Sequence, residues 1–123
     1  MLPFKTTVEK IMKKKTLSDT ASFIHRVAEH QGWKVNPDTE FVQTLTEGLT
    51  TNFNRYGYFL CPCRESGGSR ERDTDVICPC RYSKEDIGEY GHCYCALFFS
   101  SGFYASGRPF SSIPERRPEH LIP

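Results

Sequence analysis

No run of apolar residues in this chain is long enough to cross a bilayer. The longest, Ala96-Leu97-Phe98-Phe99, has four residues, against the about 20 a membrane helix needs. Residues 1–15 contain no apolar stretch of the length a secretory signal requires, and no arginine- and serine-rich, acid-poor leader precedes the domain. The expected location is therefore cytoplasmic. Excess charge of one sign is also missing. With 16 basic and 15 acidic side chains, nothing global attracts nucleic acid or an anionic membrane. Hydrophobic residues make up only 37% of the chain, so the apolar core is expected to be modest, and a bound metal centre would supply cross-links that such a core does not. Gly67-Gly68 opens no phosphate cradle, because no strand–glycine loop–helix pattern ending in lysine surrounds it.

The 123 residues fit one domain, mainly α, of short helices and loops. Residues 1–16 form a basic arm carrying Lys13, Lys14 and Lys15. Residues 18–31 read as a helix capped by Ser18 or Asp19, with Ala21, Ile24 and Ala28 on an apolar stripe and Gly32 as its stop. His25 and His30 fall on its surface. A second helix opens with Asn36 as cap and Pro37 in its first turn. Phe41, Leu45 and Leu49 give it an apolar face, and it ends by about Gly57. Residues 64–73 are polar and read as an exposed loop. A short helix follows, capped at Ser83 and ending near Gly88 or Gly91. Residues 96–99 are expected to be buried. The tail, residues 107–123, has four prolines and no helical or strand period, so it should run extended over the surface.

All six cysteines lie within residues 61–95, as three Cys-x-Cys pairs: Cys61-Pro62-Cys63, Cys78-Pro79-Cys80 and Cys93-Tyr94-Cys95. The intervals between them are fourteen and twelve residues. In a reducing compartment, clustered cysteines are ligands or catalytic thiols more often than structural bridges. Zinc knuckles use wider Cys-x2-Cys to Cys-x4-Cys spacings, and six thiols overfill one tetrahedral site. A pure disulfide framework sits poorly with the expected helices. A [4Fe–4S] cluster uses four soft thiolates and leaves a pair free for redox chemistry. Composition alone leaves these three readings open.

The three pairs, with Pro62 and Pro79 in place, resemble the catalytic (beta) subunit of ferredoxin:thioredoxin reductase, in a divergent microbial form. The likeness covers residues 61–99 well and extends loosely to the helical N-terminal half and to Ile113-Pro114-Glu115. It implies a small helical fold organised around the cluster. It also implies cluster ligands Cys61, Cys78, Cys80 and Cys93, with a redox disulfide joining Cys63 to Cys95. Cys63 would be the exposed thiol that attacks the partner, and Cys95 would lie beside the cluster. The implied function is reduction of thioredoxin-like proteins by electrons delivered singly from ferredoxin or a similar donor, with an accessory subunit as a possible further partner. Two features depart from the family. Tyr94 stands where the family has histidine between the last two cysteines, and a histidine, His92, sits two positions earlier, so either His92 serves proton transfer from the other side or that job is reduced or falls to Tyr94 or water. The intervals between pairs also differ from the plant-type pattern. Arg64 and Arg81 follow the first two pairs, where their charge can stabilise a thiolate or an anionic cluster. The competing functions are a [4Fe–4S] electron carrier without reductase activity and a zinc-stabilised interaction module.

Overall fold

The computed structural model describes residues 14–123, so most of the basic arm lies outside the described residues. Lys14 and Lys15, at its end, are exposed.

Helix α1, Leu17–Gln31, starts one residue before the expected range. Its cap is Thr16, not Ser18 or Asp19. Thr16 is extended and its hydroxyl accepts the Asp19 N–H, while the Asp19 carboxylate accepts the Thr16 N–H at 2.9 Å, a reciprocal capping box. Asp19 is thus the inner half of the cap. Gly32 ends the helix at φ 74, as its position suggested. His25 and His30 are exposed.

Helix α2, Thr39–Tyr56, is capped by Asp38, whose side chain accepts the Phe41 N–H. Asn36 and Pro37 therefore precede the helix, contrary to expectation. Asn36 is buried and serves a tertiary contact instead: its Nδ2 donates to the Ala96 carbonyl at 2.8 Å and its Oδ1 accepts from the Asp38 N–H. The Asn36 Oδ1 is taken by the Asp38 N–H, which leaves the first turn of the helix to be capped by Asp38. Gly57 closes α2 at φ 89.

The apolar faces of α1 and α2 meet as their spacing predicted. Ile24 and Ala28 pack with Leu45 and Leu49 in one core that also contains Phe59, Leu97, Phe98 and four of the cysteines. Truncating a fully buried leucine such as Leu49 to alanine should cost about 2–5 kcal/mol. Between the helices the Thr20 and Thr50 hydroxyls share a buried 2.6 Å hydrogen bond.

A two-stranded sheet was not foreseen. Strand β1, Lys34–Val35, pairs antiparallel with β2, Phe98–Phe99. Two residues are too few to leave a periodic trace in sequence. The pairing ties the entry of α2 to the segment that follows the third cysteine pair.

Residues 64–73 are only partly the exposed loop expected. Their last four form a short helix, α3, Arg70–Asp73, that leads into a 3-10 turn, Thr74–Val76. Asp73 is fully buried and accepts from Tyr58 Oη, Ser66 Oγ and the Gly67 N–H. Helix α4, Ser83–Tyr90, ends at Gly91. Its cap residue is Tyr82, whose side chain makes no capping bond, and Ser83 lies inside the helix. Gly91 has φ 93, and a Cβ there would meet the Phe103 ring at 2.3 Å. Helix α5, Ser101–Ser106, follows β2. Residues 96–99 are buried. The tail runs without regular structure to a 3-10 turn at Glu119–Leu121. Among the described residues no helix is long and apolar enough to cross a membrane.

Candidate functional site

Backbone pairing brings the first two cysteine pairs together. Leu60 and Ile77, each immediately before a Cys-Pro-Cys, form an isolated antiparallel bridge. The Cys61 N–H donates to the Val76 carbonyl at 2.9 Å, and the Cys78 N–H to the Phe59 carbonyl at 2.7 Å. The third pair turns back on β2: the Cys93 N–H donates to the Phe98 carbonyl, and the Ala96 N–H to the Cys93 carbonyl. Ala96 closes that turn at φ 59, a left-handed conformation that costs a non-glycine residue roughly 1–2 kcal/mol. The bond from Asn36 to its carbonyl holds it there. Helix α2 comes against the first pair through Gly48, where a Cβ would lie 3.0 Å from Pro62. The Cys78–Pro79 peptide is cis.

Five thiols are buried, and Cys63 is exposed. The Cys95 Sγ lies 3.4 Å from the Cys61 Sγ. Cys80 Sγ is 3.2 Å from Ser83 Oγ, and the Phe98 N–H points at Cys93 Sγ at 3.4 Å. The charges follow this layout. Hydrogen bonding from Cys61 and Cys95 lowers the pKa of the Cys63 thiol, and Arg64 adds to the effect. The same contacts push Cys61 and Cys95 up. Burial raises Cys78 and Cys80. Hydrogen bonding with Cys95 also lowers buried Cys93, and of the two lowered thiols it is Cys63 that stands where a partner can reach it.

Cys61, Cys78, Cys80 and Cys93 are thus four buried soft donors on three segments fastened to one another. Among the described residues no three histidine, cysteine, aspartate or glutamate side chains converge closely enough to hold a single metal ion. An iron–sulfur cluster makes a different demand, because each thiolate meets its own iron.

His92 is buried beneath the third pair. Its Nδ1 is 2.7 Å from the Cys93 carbonyl, its Nε2 receives the Ser111 N–H at 3.5 Å, and its ring packs against Phe99, Phe103 and Phe110. Both nitrogens therefore face backbone atoms. Tyr94 is half-buried and carries the Arg64 guanidinium 4.0 Å above its ring. Arg64 is buried and paired with Glu115. Arg81 is exposed.

The tail supplies residues that the sequence reading did not connect to the site. Glu115 pairs with Arg64 beside the first cysteine pair. Arg117 grips Asp75 from Nε at 2.8 Å and Nη2 at 3.2 Å, ahead of the second pair. Arg116 reaches Asp86, Glu85 and Glu89 on α4. Burial pushes the Asp75 carboxyl up, but hydrogen bonds from Tyr82 and Arg117 outweigh it and hold the carboxyl below its usual range. Tyr82, buried and bonded to Asp75, is pushed up to about 12. The available signal was the unbroken Glu115-Arg116-Arg117 run in a segment otherwise without pattern.

The class that fold and site define is a small, mainly helical domain that fastens three Cys-x-Cys pairs together and leaves one thiol exposed. The sequence model of the ferredoxin thioredoxin reductase catalytic beta chain matches residues 10–110, and the chain belongs to that family. It is also 29% identical over 89 residues to a ferredoxin-thioredoxin reductase catalytic chain of Guillardia theta, spanning 68% of this chain and 83% of the relative.

Proposed function

We propose that this chain is the catalytic part of an iron–sulfur disulfide reductase that takes electrons from ferredoxin or a similar donor and reduces thioredoxin-like proteins. The observation that carries the reading is the contrast between Cys63, exposed, and Cys95, buried with its sulfur 3.4 Å from that of Cys61. One member of the redox pair is accessible to a protein substrate, and the other touches a candidate cluster ligand. Cys61, Cys78, Cys80 and Cys93 would hold a [4Fe–4S] cluster, for which four buried thiols are the right donors. That group, when bound, passes electrons one at a time.

The chain's own residues account for the thiol chemistry. The Cys63 thiolate attacks one sulfur of the target disulfide, forming a mixed disulfide and releasing the other target sulfur as a thiolate. The Cys95 thiolate then attacks Cys63 Sγ, closes the Cys63–Cys95 disulfide and frees the second target sulfur. The target gains two electrons, and protons from solvent complete its two thiols. Two further electrons from the donor restore the Cys63 and Cys95 dithiol. His92, a candidate for proton transfer, takes a different part in this reading. With its nitrogens on the Cys93 carbonyl and the Ser111 N–H, it acts by fixing the backbone of a ligand turn, while solvent at exposed Cys63 handles the protons.

The energetics suit a ferredoxin. A donor near about −400 mV and a thioredoxin near about −270 mV differ by roughly 130 mV, or about 6 kcal/mol for two electrons. The test is anaerobic analysis of iron and sulfide in purified protein, together with a thioredoxin-reduction assay. Expected are four irons and four sulfides per chain, and two additional reactive thiols after reduction. Cys95→Ser should accumulate a covalent adduct with its target, since nothing remains to resolve it. Normal turnover by Cys95→Ser, or an iron-free wild type, would sink the reading. An electron carrier would gain no reactive thiols.

A further inference from the structure

The guanidinium of Arg64 occupies the junction of the three cysteine pairs. Its backbone follows Cys63, and its N–H donates to the Cys61 carbonyl at 3.0 Å. Its guanidinium carbon stands 4.0 Å from the ring centroid of Tyr94, between Cys93 and Cys95, and 5.8 Å from that of Tyr82, two residues after Cys80. The side chain is 2% exposed. Glu115 takes one of its terminal nitrogens. Among the described residues, the buried side-chain donors with no acceptor are Nε and Nη2 of this same arginine.

Buried donors are almost always paired, and each one left over is costly. A planar cation with two idle N–H groups beside thiols is a site waiting for anionic acceptors. The thiols of Cys61 and Cys80 are among the groups whose charge it feels. Hydrogen bonds to ligand sulfurs stabilise the more negative state of a cluster and raise its potential.

We propose that Arg64 is a positioning residue whose unpaired Nε–H and Nη2–H donate to the thiolate side of the cluster-loaded centre, and that Glu115 sets how much of its charge the centre feels. This rests on the reductase reading above. The tail thereby acts on the centre electrostatically, without touching a cysteine. Opposite consequences follow from the two partners. Removing the cation withdraws stabilisation from the reduced centre, whereas removing the anion that offsets it adds stabilisation.

The experiment is a spectroelectrochemical titration of anaerobically purified wild type, Arg64→Gln, Arg64→Lys and Glu115→Gln. The midpoint potential should fall in Arg64→Gln and rise in Glu115→Gln. Arg64→Lys should lie between wild type and Arg64→Gln, because it keeps the charge and loses the fork. Potentials unchanged from wild type, or a shift of the same sign in Arg64→Gln and Glu115→Gln, overturn the proposal even if thermal stability drops. Should Arg64→Gln not fold, the rise in Glu115→Gln and a fall below wild type in Arg64→Lys decide it. A wild type without iron and sulfide overturns this proposal and the reductase reading together, whereas a loaded wild type with insensitive potentials overturns this one alone.

Discussion

Residues 61–64 and residues 78–81 spell the same tetrapeptide, Cys-Pro-Cys-Arg, and fold inside out relative to each other. In the first copy the second thiol, Cys63, is exposed and the arginine, Arg64, is buried. In the second, Cys80 is buried and Arg81 is exposed. Neighbours make the difference. Cys80 meets Ser83 Oγ at the start of α4, and the Arg81 N–H is drawn to the Asp75 carbonyl at 2.9 Å. Arg64 instead has Glu115 to pair with and Tyr94 to stack on. Which cysteine is buried and which is exposed is therefore decided outside the motif, by a tail carboxylate and a tyrosine contributed from elsewhere in the chain.

The sharpest way to break this comparison is to delete the thiol at the matching position of each copy. Cys63→Ser should lower thioredoxin reduction by roughly 10³-fold or more, as expected when a nucleophile is lost, with iron content unchanged. Cys80→Ser should lose iron, and activity with it. Iron analysis and a reduction assay on the two variants check this. Equal iron loss in both would mean that the copies are equivalent after all.

A second test concerns the brace next to the second copy. Arg117→Ala leaves the buried Asp75 carboxylate with Tyr82 alone, and a buried charge stripped of its partner costs about 3–5 kcal/mol. Urea denaturation measures the loss. The pH dependence has a definite sign. Because the folded-state pKa of Asp75 is depressed, its contribution is complete above the unfolded-state value of about 4 and disappears as pH falls through the folded value. Wild type should lose stability on acidification below about pH 4. In Asp75→Asn that acid-side slope should be shallower, since one titrating group is gone.

The arginines offer the next contrast. Arg64→Gln should destabilise the fold by about 2 kcal/mol, through loss of its desolvated stacking on Tyr94 and its bond to Glu115. Arg81→Gln should change stability by less than about 0.5 kcal/mol, as exposed substitutions usually do. Thermal melts of both variants at one protein concentration suffice, and comparable losses would erase the distinction.

The same contrast explains what could be read from the chain beforehand. The two long helices were legible because Ile24, Ala28, Leu45 and Leu49 repeat at helical spacing and a glycine, Gly32 or Gly57, stands at the C-terminal end of each. Their caps were misplaced because Thr16 and Asp38 gain their roles from backbone geometry, and neighbouring Ser18 and Asn36 have equally suitable side chains. The cysteine pairs announced a site because their spacing is a local property. The burial of Arg64, Asp75 and Arg117 is not local. It arises from contacts 51 residues apart in the case of Arg64 with Glu115 and 42 in that of Arg117 with Asp75, and no window along the chain contains both partners.

The smallest effect lies in the third pair, where the contrast extends to the backbone. Neither Cys-Pro-Cys is followed by a left-handed residue, whereas Cys93-Tyr94-Cys95 is closed by Ala96 at φ 59. The Asn36 side chain and the Cys93 carbonyl hold Ala96 in that conformation. Glycine adopts it without the roughly 1–2 kcal/mol that alanine incurs, but loses more chain entropy on folding, by about 0.5–1 kcal/mol. The balance favours the variant, so Ala96→Gly should stabilise the protein by up to about 1 kcal/mol, and Ala96→Val should destabilise it. A denaturation midpoint that falls in Ala96→Gly would mean that the turn is not strained. The third pair would then owe its shape to the cysteines, not to the asparagine that pins it.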